Sequence, residues 1–176
     1  MKDVIVLTRK YLFLYLIPIL LITHFGCSNQ PDKLEIKELP ADFNFSLIYG
    51  TYGKQKIDTF NDTIVKDLVE DGTIEVNIVF TEEEMEQIYH EMMSINIMDD
   101  SKFTVREEEV CETEPPSYTI WNIQMDGKTN SFYTQNYCDG YPEDVLKLLK
   151  LADYIHSILL NKEEYKELPD SNGYYE

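Results

Sequence analysis

Two periods alternate along the chain after residue 42. In FNFSLIYG, Phe43, Phe45, Leu47 and Tyr49 occupy every second position, which places them on one face of a strand. Asp71-Gly72 then marks a hairpin, because a two-residue type I′ turn needs positive φ twice. Pairing across that turn sets Val69 opposite Ile74, Val65 opposite Ile78 and Thr63 opposite Phe80, an apolar face broken only by Asp67 opposite Val76. At Thr81 the period lengthens. TEEEMEQIYHEMMSINI opens with Thr81 and Glu84 at capping-box spacing and with acid in the first turn, where the helix dipole favours it. Met85, Ile88, Tyr89, Met92 and Ile95 follow as a stripe at helical spacing, the mark of a core face rather than a cofactor site. His90 beside the stripe reads as a surface or half-buried histidine, not a ligand.

A second hairpin is signalled by Asp126-Gly127 in YTIWNIQMDGKTNSFYT, with Trp121 opposite Phe132 and Ile120 opposite Tyr133, so that both faces carry aromatic pairs. The last helix starts at Pro142, has Glu143 and Asp144 in its first turn, and turns Val145, Leu148, Leu149, Ala152, Ile155 and Leu159 one way. Strands, helix, strands, helix is the order of an α+β domain, an antiparallel sheet of about five to six strands with two helices packed on one face. The domain spans residues 43–161. Residues 162–176, KEEYKELPDSNGYYE, read as a polar and loosely held tail.

Residues 1–26 have a different pattern. Lys2, Arg9 and Lys10 precede the apolar run YLFLYLIPILLITHF, which is shorter than the roughly 20 residues of a membrane span and is interrupted by Pro18 and His24. A basic head and a short apolar run make an export signal peptide. Gly26-Cys27, followed by the polar stretch SNQP, resembles the cleavage box of bacterial lipoproteins, although His24 and Phe25 depart from its usual Leu and small residue. The resemblance implies that Cys27 is the lipidated first residue of the mature chain, acylated and carrying diacylglycerol, with residues 27–42 as a polar tether. The expected location is the extracytoplasmic face of the cell membrane. The run from YGTYGKQKIDTF through the Asp71-Gly72 hairpin to TEEEMEQIYHEM is also similar to small lipoprotein domains of Gram-positive type without an assigned activity, and that likeness brings no catalytic residues with it.

Charge narrows the partners. The 176-residue chain stands at −18, and without residues 1–26, which sum to +2, it stands at −20. Nucleic acid and anionic headgroups are repelled by such a surface. Cationic proteins or small amine-bearing ligands are the partners it suits. Cys111 and Cys138, an even pair in an exported chain, read as a disulfide that stabilises the fold by about 3–4 kcal/mol through loop closure. Zinc would need more ligands near them.

Three places hold candidate chemistry. Gly50-Thr51-Tyr52-Gly53-Lys54 lacks both the P-loop spacing and the hydroxyl residue after lysine, and reads as a bend or bulge after the first strand. Glu107, Glu108, Glu109 and Glu112, with Glu114 beyond, would present carboxylates from both faces of an extended segment, either to a basic partner or loosely to calcium, without EF-hand spacing. Tyr133, Tyr137, Asp139 and Tyr141, with Tyr118 and Trp121 across the hairpin, would form a rigid aromatic and acidic patch at one end of the sheet. No serine has a nucleophile-elbow context, His156 and Ser157 diverge as neighbours on a helix, and no cofactor motif is present. The sequence therefore favours a binding domain over an enzyme, the alternative being a carboxylate-based cell-envelope hydrolase.

Overall fold

The computed structural model describes residues 38–99, 102–103 and 110–176. Six strands, β1 (Asn44–Tyr49), β2 (Gln55–Asp58), β3 (Thr63–Val69), β4 (Gly72–Asn77), β5 (Tyr118–Met125) and β6 (Lys128–Gln135), form one antiparallel sheet in the order β4-β3-β2-β1-β5-β6. Helix α1 (Glu82–Ser94) follows the four-stranded meander, α2 (Glu143–Asn161) follows the β5–β6 hairpin, and a single turn, α3 (Glu163–Lys166), comes next. This is the α+β architecture expected from the two periods. Among the described residues no helix is long and apolar enough to cross a membrane.

Alternation puts Phe45 and Leu47 of β1, Ile57 of β2, Ile64 of β3 and Trp121 and Ile123 of β5 on one face. Ile88, Tyr89 and Met92 of α1 and Leu148, Leu151, Ile155 and Leu159 of α2 close over them in a single core. The α1 stripe is as expected, with a reciprocal capping box: the Glu84 N–H donates to Thr81 Oγ1 at 3.2 Å and the Thr81 N–H to Glu84 Oε2 at 2.7 Å. On α2, Leu151 is buried where Leu149 was expected, and Leu149 lies half-buried toward the sheet end.

The opposite face carries a polar row across all six strands, Asn77, Thr63, Asp58, Ser46, Asn122 and Ser131, each opposite the next. Asn122 Nδ2 donates to Ser46 Oγ at 3.1 Å and Ser131 Oγ to Asn122 Oδ1 at 2.8 Å, while Lys56 neutralises the buried Asp58 at 2.6 Å. Burial pushes the Asp58 carboxyl up, and the bonds from Lys56, Asn61 and the Phe60 N–H more than offset it, holding it below the ordinary range.

The two Asp-Gly turns differ. Asp126 and Gly127 both have positive φ, 52° and 70°, and the register is the expected one, Trp121 with Phe132 and Ile120 with Tyr133. At Asp71-Gly72 only Gly72 has positive φ, and β3 pairs with β4 as Ile64 with Val76 and Lys66 with Ile74, with a bulge between Asp67 and Val69. The expected pairs Val69–Ile74, Val65–Ile78 and Thr63–Phe80 do not form. That register would have turned Asp67 to the core and Ile64 and Leu68 outward; the observed one buries Ile64 and Leu68. Ile78 and Phe80 still reach the core, but from the link into α1.

The domain also extends past both expected boundaries. Before Phe43, Leu39 packs against the core, and the Asp42 carboxylate accepts the Asp126 N–H at 3.0 Å and the Gly127 N–H at 2.7 Å, clamping the second turn. After Asn161, the expected loose tail is fastened. Tyr165 is buried in the core, Asn172 bridges Val69 in parallel, and Tyr175 and Ser171 bond to Asp67.

Candidate functional site

The disulfide end of the sheet is assembled from three stretches. Cys111 and Cys138 are bonded with Cα atoms 4.9 Å apart, and the Cys111 N–H donates to Asn136 O at 2.9 Å beside a Val110–Tyr137 bridge. The returning segment then meets the β1–β2 turn: Thr51 bridges Ser117, and the Tyr52 N–H donates to Pro116 O at 2.8 Å. In that turn Gly53 adopts φ +61°, and a Cβ there would stand 2.7 Å from the Tyr118 ring, so only glycine lets Tyr118 lie down on the turn and donate its hydroxyl to Tyr52 O at 3.1 Å.

On the sheet face away from the helices, Tyr118 and Tyr133 form a tilted ring pair with centroids 5.6 Å apart. The Gln135 amide donates to the Tyr133 hydroxyl and steadies the more exposed ring. Glu112 and Glu114 are exposed beside them, and the five side chains with Ser117 line an open cleft of about 240 Å³. Tyr52 donates its hydroxyl to Glu114 Oε1 at 3.3 Å; desolvation and the Glu114 carboxylate hold the Tyr52 phenol above its usual value. Aromatic faces beside carboxylates attract a cation, through ring quadrupole and charge together.

The structure brings together some of the expected residues and separates others. Glu112, Tyr133 and Tyr118 share the cleft. Trp121, expected in the same patch, is on the other side of the sheet with 0% of its surface exposed, stacked on Phe132 at 6.2 Å; as an odd-numbered residue of β5 it points to the helices while Tyr118 and Ile120 point away. Tyr137 is nearly buried and meets Tyr141 edge-on at 5.5 Å, and the Tyr141 hydroxyl donates to Asn136 Oδ1 at 2.9 Å. With the exposed Asp139 these two tyrosines line a separate hollow of about 320 Å³ next to the disulfide. The aromatic patch is thus divided. Cys27 and Glu107, Glu108 and Glu109 lie outside the described residues. Among the described residues no group of three or more His, Cys, Asp or Glu side chains gathers to hold a metal ion.

Sequence reasoning passed over Tyr52, whose signal was indirect: two glycines three residues apart after a strand mark a hairpin loop, and that loop carries it to the disulfide end. No protein-family model, curated protein or solved structure matches the chain.

Proposed function

We propose that the chain is a lipid-anchored extracytoplasmic domain that binds a cationic group of a protein or small ligand at the cleft beside the disulfide. The observation that carries this reading is the Tyr118–Tyr133 ring pair next to the exposed Glu112 and Glu114 in one open cleft. The net charge of −18 supports it, since it draws cationic groups toward the surface. The disulfide and the two backbone bridges keep the cleft wall fixed, so little ordering entropy opposes binding. The basic head, the short apolar run and Gly26-Cys27 support the anchor.

A titration of the full-length protein in detergent with an oligolysine peptide, beside an oligoglutamate peptide, tests the binding. Saturable, salt-weakened binding of oligolysine alone is expected, and Tyr133→Ala combined with Glu112→Gln and Glu114→Gln should weaken it at least about tenfold. Equal binding by the variant refutes the assignment. For the anchor, Cys27→Ser should release the protein from the membrane fraction; tight association of that variant refutes lipidation at Cys27.

A further inference from the structure

A further concavity, separate from the disulfide cleft and the Tyr137–Tyr141 hollow, opens between the sheet and the C-terminal half of α2. It has a volume of about 410 Å³, within the range of roughly 300–1,000 Å³ in which small-molecule sites fall. Its walls are Thr51 from the β1–β2 turn, Gln55 from β2, Lys66 from β3, His156 and Leu160 from α2, and Tyr165 from α3. Ser171 and Tyr175 of the C-terminal segment form its rim.

That rim is a built strap. The Asn172 N–H donates to Leu68 O and its carbonyl accepts the Glu70 N–H, both at 3.1 Å. Ser171 Oγ donates to Asp67 O and the Tyr175 hydroxyl to Asp67 Oδ2, both at 2.6 Å. Gly173, with φ +86°, lies so close to Glu70 that a Cβ would stand 2.5 Å from its side chain. On the strap's other flank the Lys54 ammonium sits 4.7 Å over the Tyr175 ring.

Lys66, Gln55 and Thr51 each bring a hydrogen-bond donor to the pocket. The half-buried Lys66 has its ammonium 5.1 Å from the Tyr165 ring centroid, and among the described residues no carboxylate lies within ion-pair distance of it. In a chain with 33 acidic and 15 basic residues, an unpaired cation in a hollow stands out. Gln55 adds an amide and Thr51 a hydroxyl. Asp67, the acidic residue at the rim, has both oxygens engaged, Oδ1 by the Val69 N–H at 3.0 Å and Oδ2 by Tyr175. Tyr165 and His156 present rings at 89° to each other, and burial, against the opposing Asp153, holds His156 toward its neutral form.

We infer that this pocket binds a small planar organic anion, its acid group at the Lys66 ammonium and its flat part against Tyr165 and Leu160 beneath the Ser171–Tyr175 strap. The test uses indole-3-acetate, with neutral tryptophol and cationic tryptamine as matched probes, on the full-length 15N-labelled protein in detergent, following amide shifts of Lys66, Val69 and Asn172. Saturable millimolar shifts are expected with indole-3-acetate, at least about tenfold weaker with the other two probes and in Lys66→Met. Gly173→Ala, which displaces the strap and leaves Lys66 in place, should weaken binding as well. The inference is overturned if tryptamine binds as tightly as the acid, if Lys66→Met binds indole-3-acetate unchanged with its amide spectrum otherwise native, or if no saturable shift appears at these amides.

Discussion

Lys162→Met should expose how the two helices are tied. Lys162 caps the C-terminus of α2, and its ammonium contacts Glu84 Oε2 in the first turn of α1 and donates to Val79 O at 2.8 Å. The same Glu84 oxygen accepts the Thr81 N–H of the capping box. The side chains are 11% and 25% exposed, between a surface pair, worth about 0.2–1 kcal/mol, and a fully buried one, whose disruption costs about 3–5 kcal/mol. Methionine keeps the stem over the Phe80 ring and removes only the charge, so the loss should be about 1.5–2 kcal/mol, including about 1 kcal/mol for the bond to Val79. Thr81→Ala should cost about 1 kcal/mol alone. Because Thr81→Ala breaks the capping box that fixes the same Glu84 side chain Lys162 contacts, the double variant should depart from additivity by at least about 0.5 kcal/mol. Urea unfolding followed by the emission of Trp121, the single and fully buried tryptophan, measures all three. Burial pushes the Glu84 carboxyl up, but the bonds from Lys162 and Thr81 outweigh it, so the folded value lies below 4.5. A depressed carboxyl stabilises the fold above its unfolded value and loses that contribution as pH falls through the folded one. The gap between wild type and Lys162→Met should therefore be full at neutral pH and close below pH 4.5. A Lys162→Met loss under about 0.3 kcal/mol, or strict additivity with Thr81→Ala, would refute this account.

Trp121→Phe should cost about 1–2 kcal/mol in thermal unfolding followed by circular dichroism and leave oligolysine binding unchanged, because the indole fills core and its buried Nε1 has no partner among the described residues. Gly53→Ala should cost about 1–3 kcal/mol for the strained φ alone and, by lifting Tyr118 off the β1–β2 turn, should also weaken oligolysine binding. Asp42→Ala should speed hydrogen exchange at the Asp126 and Gly127 amides. In the wild type the same exchange should accelerate as pH falls below 3.8, since the Gly127 N–H bond, ahead of the smaller opposing desolvation, holds the Asp42 carboxyl below that value; correction for intrinsic exchange at each pH isolates the effect.

What the sequence revealed followed from how locally each feature is determined. Helix α1 was legible to its cap, because Thr81 and Glu84 satisfy each other within one turn. The Asp126-Gly127 turn was legible because strand alternation on both sides agreed with it. At Asp71-Gly72 the turn and the pattern disagreed at one residue, Asp67, and that mismatch marked a wrong register: β3 bulges so that Ile64 and Leu68 face inward. The four-residue β2 carries one core side chain, Ile57, too few to show a period, and it forms because β1 and β3 flank it. The cleft was half legible. Tyr133 and Glu112 were named, but parity along β5 sends Trp121 to the core, and Tyr52 arrives through a contact with Glu114 across 62 residues. The tail was misjudged because composition records how polar a segment is and not that Tyr165 and Tyr175 have partners waiting on α2 and β3.

The sheet order has a kinetic meaning. Strands β1 to β4 close through neighbouring turns, as do β5 and β6, so each piece can zip from its own ends. Among the described strands the two pieces pair along β1–β5, where Ser46 faces Asn122 across 76 residues of chain. Closing so long a loop costs conformational entropy that neither half-sheet incurs alone, so the seam is expected to form after them. Changes that weaken β1–β5 while sparing the rest should therefore leave two half-sheets that form on time and dock late.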